Sequence, residues 1–181
     1  MHRLAGWLGH DGANAADTLT QMLAKCTVNP PSQTSPSQAG LGLAASLSMA
    51  DEGNLVAGIA GRPHFATADL QALSPAQAVL RLWQAHGTEA PAYIHGNFAL
   101  AVVDQGARSV YMALDRIGSE RLCYAGNGNG LVFASQADMV AAHPAVGARL
   151  DPQALFNYYY FYQVPAPGSI YQGINLSLIH I

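Results

Sequence analysis

Charge is what this sequence has least of. Only 10% of its 181 residues are charged, eight Lys+Arg against eleven Asp+Glu, for a formal net charge of −3, where an ordinary globular chain carries roughly 25%. Eight scattered cations make no positive field, which argues against a nucleic-acid partner. No apolar run approaches the ~18 residues of a membrane span, so no membrane partner is expected. Two cysteines, Cys26 and Cys123, are too few for a disulfide framework or a zinc site. The opening residues Met1 to Trp7 lack the apolar core of a signal peptide. A reduced, cytoplasmic setting is expected. Hydrophobic residues make up 50%, which excludes global disorder.

The motifs of common catalytic sites are also missing. The seven histidines (His2, His10, His64, His86, His95, His143, His180) show no metal-ligand spacing. No GxSxG elbow occurs. Gly126-Asn127-Gly128-Asn129-Gly130 lacks the Lys-Ser/Thr of a phosphate loop and sits between strand-like runs, so a hairpin turn is expected. Cys26 falls on the apolar side of a helix and Cys123 inside a strand. Neither has a neighbouring base to lower its pKa, so both are expected to be small buried hydrophobes, Cys123 being the least poor choice for an unfamiliar nucleophile.

What is present is a regular text of strands and helices. Arg3 to Gly9 reads as a strand and Ala15 to Cys26 as a helix, with Leu19, Met22, Leu23 and Cys26 at helical spacing. Val28 to Gly40 reads as a loop and Leu41 to Met49 as a strand. Asn54 to Ala60 and Pro63 to Phe65 read as two strands bent at Gly61. Ser74-Pro75-Ala76-Gln77 has a capping-box spacing and opens a helix that Gly87 closes. Asn97 to Asp104, Ser109 to Asp115, Leu122 to Ala125 and Gly130 to Ala134 predict one antiparallel meander. Ser135 is expected to cap a short helix to His143, and Asp151-Pro152 to open another to about Tyr160. Together they predict an α+β chain of antiparallel sheets with helices layered on them. The run Phe156-Asn157-Tyr158-Tyr159-Tyr160-Phe161-Tyr162 has no cationic groove beside it, so it reads as a helix at an interface and not as a base-stacking tract.

From Tyr93 to Tyr171 the order and spacing of several motifs resemble the amino-terminal glutaminase domain of the asparagine synthetase family, a class II glutamine amidotransferase. These are Gly96-Asn97-Phe98-Ala99, Asp104, Asp115-Arg116-Ile117-Gly118, Leu122-Cys123-Tyr124, Phe133-Ala134-Ser135-Gln136 and Val164-Pro165-Ala166-Pro167-Gly168-Ser169-Ile170. Leu4-Ala5-Gly6-Trp7 resembles the family's opening. The resemblance implies the N-terminal-nucleophile-hydrolase fold, a four-layer αββα sandwich of two antiparallel sheets. In that family an amino-terminal Cys attacks the glutamine amide, with its own α-amine as base.

Here His2 occupies the nucleophile position. The family's substrate-carboxylate Arg falls near Ala44-Ala45, its Asn-Gly oxyanion pair near Ala60-Gly61, and its amine-binding Asp near Pro75, so Gly61 alone of the substrate-binding residues survives. Loss of a nucleophile alone typically removes about 10⁶ in rate. The resemblance therefore implies a domain without catalytic residues, metal or cofactor of its own.

The expected organisation is a degenerate glutaminase-like domain over 1–150, then a helix and linker over 151–175 leading to an ATP- and Mg²⁺-dependent synthetase domain outside this sequence. Residues 176–181 (LSLIHI) equal the in-frame translation of a transposon-end sequencing adaptor and are expected to be foreign. The parent would be an amide-forming ligase of asparagine-synthetase, β-lactam-synthetase or lasso-cyclase type. The alternative is a stand-alone interaction domain. The expected partners are the chain's own synthetase domain and a second copy in a homodimer. The low charge suits a surface meant for such a partner.

Overall fold

The computed structural model describes residues 3–9, 15–26, 33–35, 41–126 and 130–177. The strands are β1 (Leu4–Leu8), β2 (Gln33–Ser35), β3 (Leu41–Ala45), β4 (Ser48–Glu52), β5 (Leu55–Phe65), β6 (Ile94–Asp104), β7 (Ser109–Leu114), β8 (Cys123–Gly126), β9 (Leu131–Ala134) and β10 (Asn175–Leu176). The α-helices are α1 (Ala15–Leu23), α2 (Ala68–Ala72), α3 (Pro75–His86), α4 (Ala137–Ala141) and α5 (Pro152–Phe161), and a 3-10 turn spans Gly87–Tyr93.

Two antiparallel sheets form, one in the order β10-β8-β9-β1-β3-β2 and one in the order β4-β5-β6-β7. Both faces of the central strands are apolar, which gives three hydrophobic layers. Between the sheets lie Leu4, Leu43, Val56, Ala60, Ala99, Ala101, Val103, Leu122 and Phe133. The alternate residues Ala5, Trp7, Ala44 and Val132 meet Leu19 and Met22 of α1 and Met139 and Val140 of α4. On the far side Ala57, Ile59, Leu100 and Val102 meet Val79, Leu80 and Leu82 of α3. This period-two division is what pleated strands impose, and the result is the four-layer αββα sandwich.

The helix starts follow local chemistry. At α3 the Ser74 hydroxyl accepts from Gln77 N (3.4 Å), and the Gln77 side chain accepts from Ser74 N (3.2 Å), a complete capping box. Asp151 caps α5 by accepting from Gln153 N at 2.9 Å.

Several expectations need correction. The four strands from Asn97 to Ala134 are not one meander, because β6–β7 and β8–β9 belong to different sheets. The span Leu41 to Met49 divides into β3 and β4, because Ser46 leaves the strand to bond Arg3 in both directions (2.8 Å each). Residues 55–65 are one continuous strand, paired residue for residue with β6 through Gly61. Part of the expected loop over 28–40, Gln33–Ser35, pairs with β3 as an edge strand. Ser135 does not cap α4, whose N-cap is Gln136; its hydroxyl instead accepts from Leu4 N at 2.8 Å.

Candidate functional site

The chain's first described residues run between two neighbours in the six-stranded sheet. Arg3 N donates to Ser46 Oγ and Leu4 N to Ser135 Oγ, each at 2.8 Å. Two serine hydroxyls, one just beyond β3 and one just beyond β9, thus fix the start of β1. His2, which precedes this anchored point, lies outside the described residues, as do His10, His180 and residues 127–129, where a hairpin turn is expected. Arg3 itself is buried at 6% exposure, and sequence reading did not single it out.

Some of the positions expected to hold substrate lie beside this strand. Leu4 pairs with Ala45 and Ala5 with Ala44. Across the interface a Cβ at Gly58 would stand 3.2 Å from Leu4 Cδ1 and 3.4 Å from Ala45 Cβ, which puts β5 over the same strands. Ala44, Ala45 and Ala60 are each fully buried. They carry methyl groups at the positions where the resemblance leads one to expect a guanidinium and a carboxamide. Gly61 follows Ala60 at φ +112, and a Cβ there would run into the Asn97 carbonyl oxygen. Close approach of β5 to β6 therefore requires a glycine at 61 independently of any substrate. Pro75, at the expected Asp position, is the first residue of α3.

The motif Asp115-Arg116-Ile117-Gly118 has a structural explanation. It is the crossing between the sheets, leading from β7 toward β8. Asp115 is buried, and its carboxylate accepts from Ile117 N (3.1 Å), Ser119 N (3.1 Å) and Glu120 N (3.2 Å). Burial by itself would push this carboxyl up. The backbone N–H groups of Ser119, Glu120, Ile117 and Phe98 outweigh it and hold the pKa below the ordinary value. Gly118, at φ +62, completes the turn.

The other candidate groups of the sequence reading have ordinary structural surroundings. Cys123 is 4% exposed, and burial above all pushes its thiol up to about 11, so it carries little thiolate at neutral pH. Cys26 is buried too. Among the described residues no three His, Cys, Asp or Glu side chains could hold a metal ion. His143 is buried against Trp7 (ring centroids 5.2 Å apart), and its Nδ1 accepts from Ala145 N at 3.2 Å. His86 stacks on Tyr93 at 4.0 Å. Among the described residues no helix is long and apolar enough to cross a membrane.

Among the described residues, α5 and its C-cap carry most of the exposed aromatic side chains. Only Ala154 of that helix is buried, whereas Phe156, Tyr159, Tyr160 and Tyr162 are 62, 82, 71 and 87% exposed. The chain after α5 returns to the domain: Ile174 is buried beside α1 and α4, and β10 pairs with β8. The junction expected at 175/176 thus falls inside a strand, and residues 178–181 lie outside the described residues.

Comparison with known proteins agrees with this architecture. The chain is 31% identical over 84 residues to asparagine synthetase [glutamine-hydrolyzing] 3 of Bacillus subtilis (strain 168). That alignment covers 46% of this chain and 14% of the relative, so the chain spans about one-seventh of the relative's length. Among solved structures it resembles the glutamine phosphoribosylpyrophosphate amidotransferase of B. subtilis complexed with ADP and GMP. The TM-score is 0.52 at 13% identity, over 76% of this chain and 42% of that one; at that identity the likeness concerns the fold alone. Residues 64–178 match the family model described as a glutamine amidotransferase domain, and the chain belongs to that family.

Proposed function

We propose that this domain has lost the glutaminase half-reaction of its family and acts as the structural front domain of an ATP-dependent, amide-forming ligase of the asparagine-synthetase kind. The observation that carries this reading is the state of the positions around the start of β1. Ala44, Ala45 and Ala60 are fully buried in the apolar layers, so no side chain there could neutralise a substrate carboxylate or donate to an oxyanion. At position 2 an imidazole replaces the thiol. An acyl-imidazole is labile, and a residue as large as His disfavours removal of Met1, which would leave no free α-amine to serve as base.

In this reading ATP and Mg²⁺ belong to the synthetase domain. The partner is that domain, the setting is cytoplasmic, and neither nucleic acid nor a membrane takes part. The aromatic face of α5 supports such a partner, because Phe and Tyr are the residues that dominate interface cores. A free-standing interaction domain, or one face of a homodimer, would draw support from the same surface.

Two measurements test the proposal. Purified protein incubated with glutamine is expected to release no glutamate above blank; turnover would overturn the loss of activity. Reading the gene downstream of the Asn175 codon separates the ligase from the module. A Ser-Gly-Gly-x-Asp-Ser loop in frame supports the ligase, and a native stop codon overturns it.

A further inference from the structure

A cleft of about 550 Å³ opens beside the sheet crossing, lined by the segments 91–98 and 114–119. Its volume lies within the roughly 300–1,000 Å³ usual for small-molecule sites. Ile94, Phe98, Leu114 and Ile117 supply its apolar lining, and His95, Asn97, Arg116 and Ser119 its polar groups. No carboxylate lines it. Arg116 is the one Lys or Arg in that lining.

Two features make the cleft a built site. The buried Asp115 carboxylate turns inward and binds three backbone N–H groups of residues 117–120, so the loop bearing Arg116 and Ile117 is held in place before any ligand arrives. Ile117 is 83% exposed within that rigid loop, an apolar side chain kept in water at the cleft. On the opposite wall Gly96 has φ +82, and a Cβ there would crowd the Arg62 carbonyl. The wall is thus kept free of a side chain at that point.

We propose that this cleft binds a small monocarboxylate with an apolar body, its carboxylate paired with the Arg116 guanidinium and its body against Ile94, Phe98, Leu114 and Ile117. A single fixed cation matches a monoanion, and the guanidinium fork fits a carboxylate in bidentate fashion. The cleft borders the expected glutamine site, since its lining residues Asn97 and Phe98 lie directly against Gly61, but the proposed contacts use none of the positions assigned to glutamine.

The test is a titration of the ¹⁵N-labelled full chain with 4-methylpentanoate, and in parallel with 4-methylpentanamide, which has the same shape and no charge. Saturable amide shifts confined to residues 94–98 and 114–119 are expected for the acid, with binding at least tenfold weaker for the amide. Arg116→Gln should weaken the acid at least tenfold without moving the melting temperature, and Arg116→Lys should fall between. Equal affinity for acid and amide, shifts centred on α5, or the absence of saturable shifts would overturn the proposal without recourse to any variant. Undiminished binding to the folded Arg116→Gln protein would do the same.

Discussion

Two regions that carry family positions have fared differently. At the sheet crossing, Asp115-Arg116-Ile117-Gly118 matches the family's pattern apart from Leu114 in place of its leading Arg, and its aspartate is tied to the backbone by three hydrogen bonds. At the start of β1, the positions we propose to correspond to substrate-binding groups hold Ala44, Ala45 and Ala60, all fully buried. The first region answers to the fold, since it takes the chain from one sheet to the other. The second would answer to glutamine, and its residues answer to the apolar core instead. The difference teaches that a family signature can persist for architectural reasons alone, so its presence says little about turnover.

Gly61 gives the sharpest test of that distinction, because it lies in the second region yet behaves like the first. Gly61→Ala would place a methyl against the Asn97 carbonyl at φ +112. It should cost about 4 kcal/mol, combining left-handed strain with a backbone clash, read as a large drop in urea midpoint. A loss below about 1 kcal/mol would break the claim that packing demands this glycine.

Asp115→Asn should cost about 2–3 kcal/mol at pH 7, since a carboxamide replaces a buried carboxylate that accepts three backbone N–H groups. The pH dependence has a definite sign. The folded-state pKa is lowered, so the carboxylate stabilises the fold fully above its unfolded pKa of about 4, and the contribution fades as pH falls through the lower folded value. The gap between parent and variant should therefore shrink in acid unfolding below about pH 4. A gap constant with pH would remove the electrostatic account.

His2→Cys asks the complementary question. A thiol returned to position 2 should still give no glutaminase activity, because Ala44, Ala45 and Ala60 remain. Measurable glutamate release by that variant would show that the nucleophile alone was missing. Ser135→Ala should cost about 1–2 kcal/mol by leaving Leu4 N without its buried acceptor; the urea midpoint reports it.

How much of this was legible in the sequence depended on the range of the interaction. The start of α3 was legible because Ser74, Pro75 and Gln77 satisfy one another locally. Individual strands were legible from alternation, but their partition between sheets was not. A period of two marks a strand without naming its partner, and the Asp115 bonds that take the chain across are made by backbone groups. The break after Ala45 and the fate of Ser135 escaped for the same reason, since both depend on residues 3 and 4, distant in sequence. At the candidate site, Gly61 was found through the resemblance, whereas the Arg116 cleft exists only once β6 and the crossing are folded against each other.

The smallest effect is expected where neither region reaches. Tyr159 is 82% exposed on α5, and Ala154 is that helix's one buried residue. Tyr159→Ser should shift the stability of this chain by less than about 0.5 kcal/mol, as ordinary surface changes do. Tyr160→Ser, at 71% exposure, should behave alike apart from the loss of stacking on Phe156 at 6.3 Å and an edge contact with Phe161 at 4.8 Å. If both are silent in urea unfolding of this chain yet weaken its association with a synthetase domain, the aromatic face is an interface carried at no benefit to the fold. A stability loss above about 1 kcal/mol from Tyr159→Ser would instead make the face part of the domain's own packing.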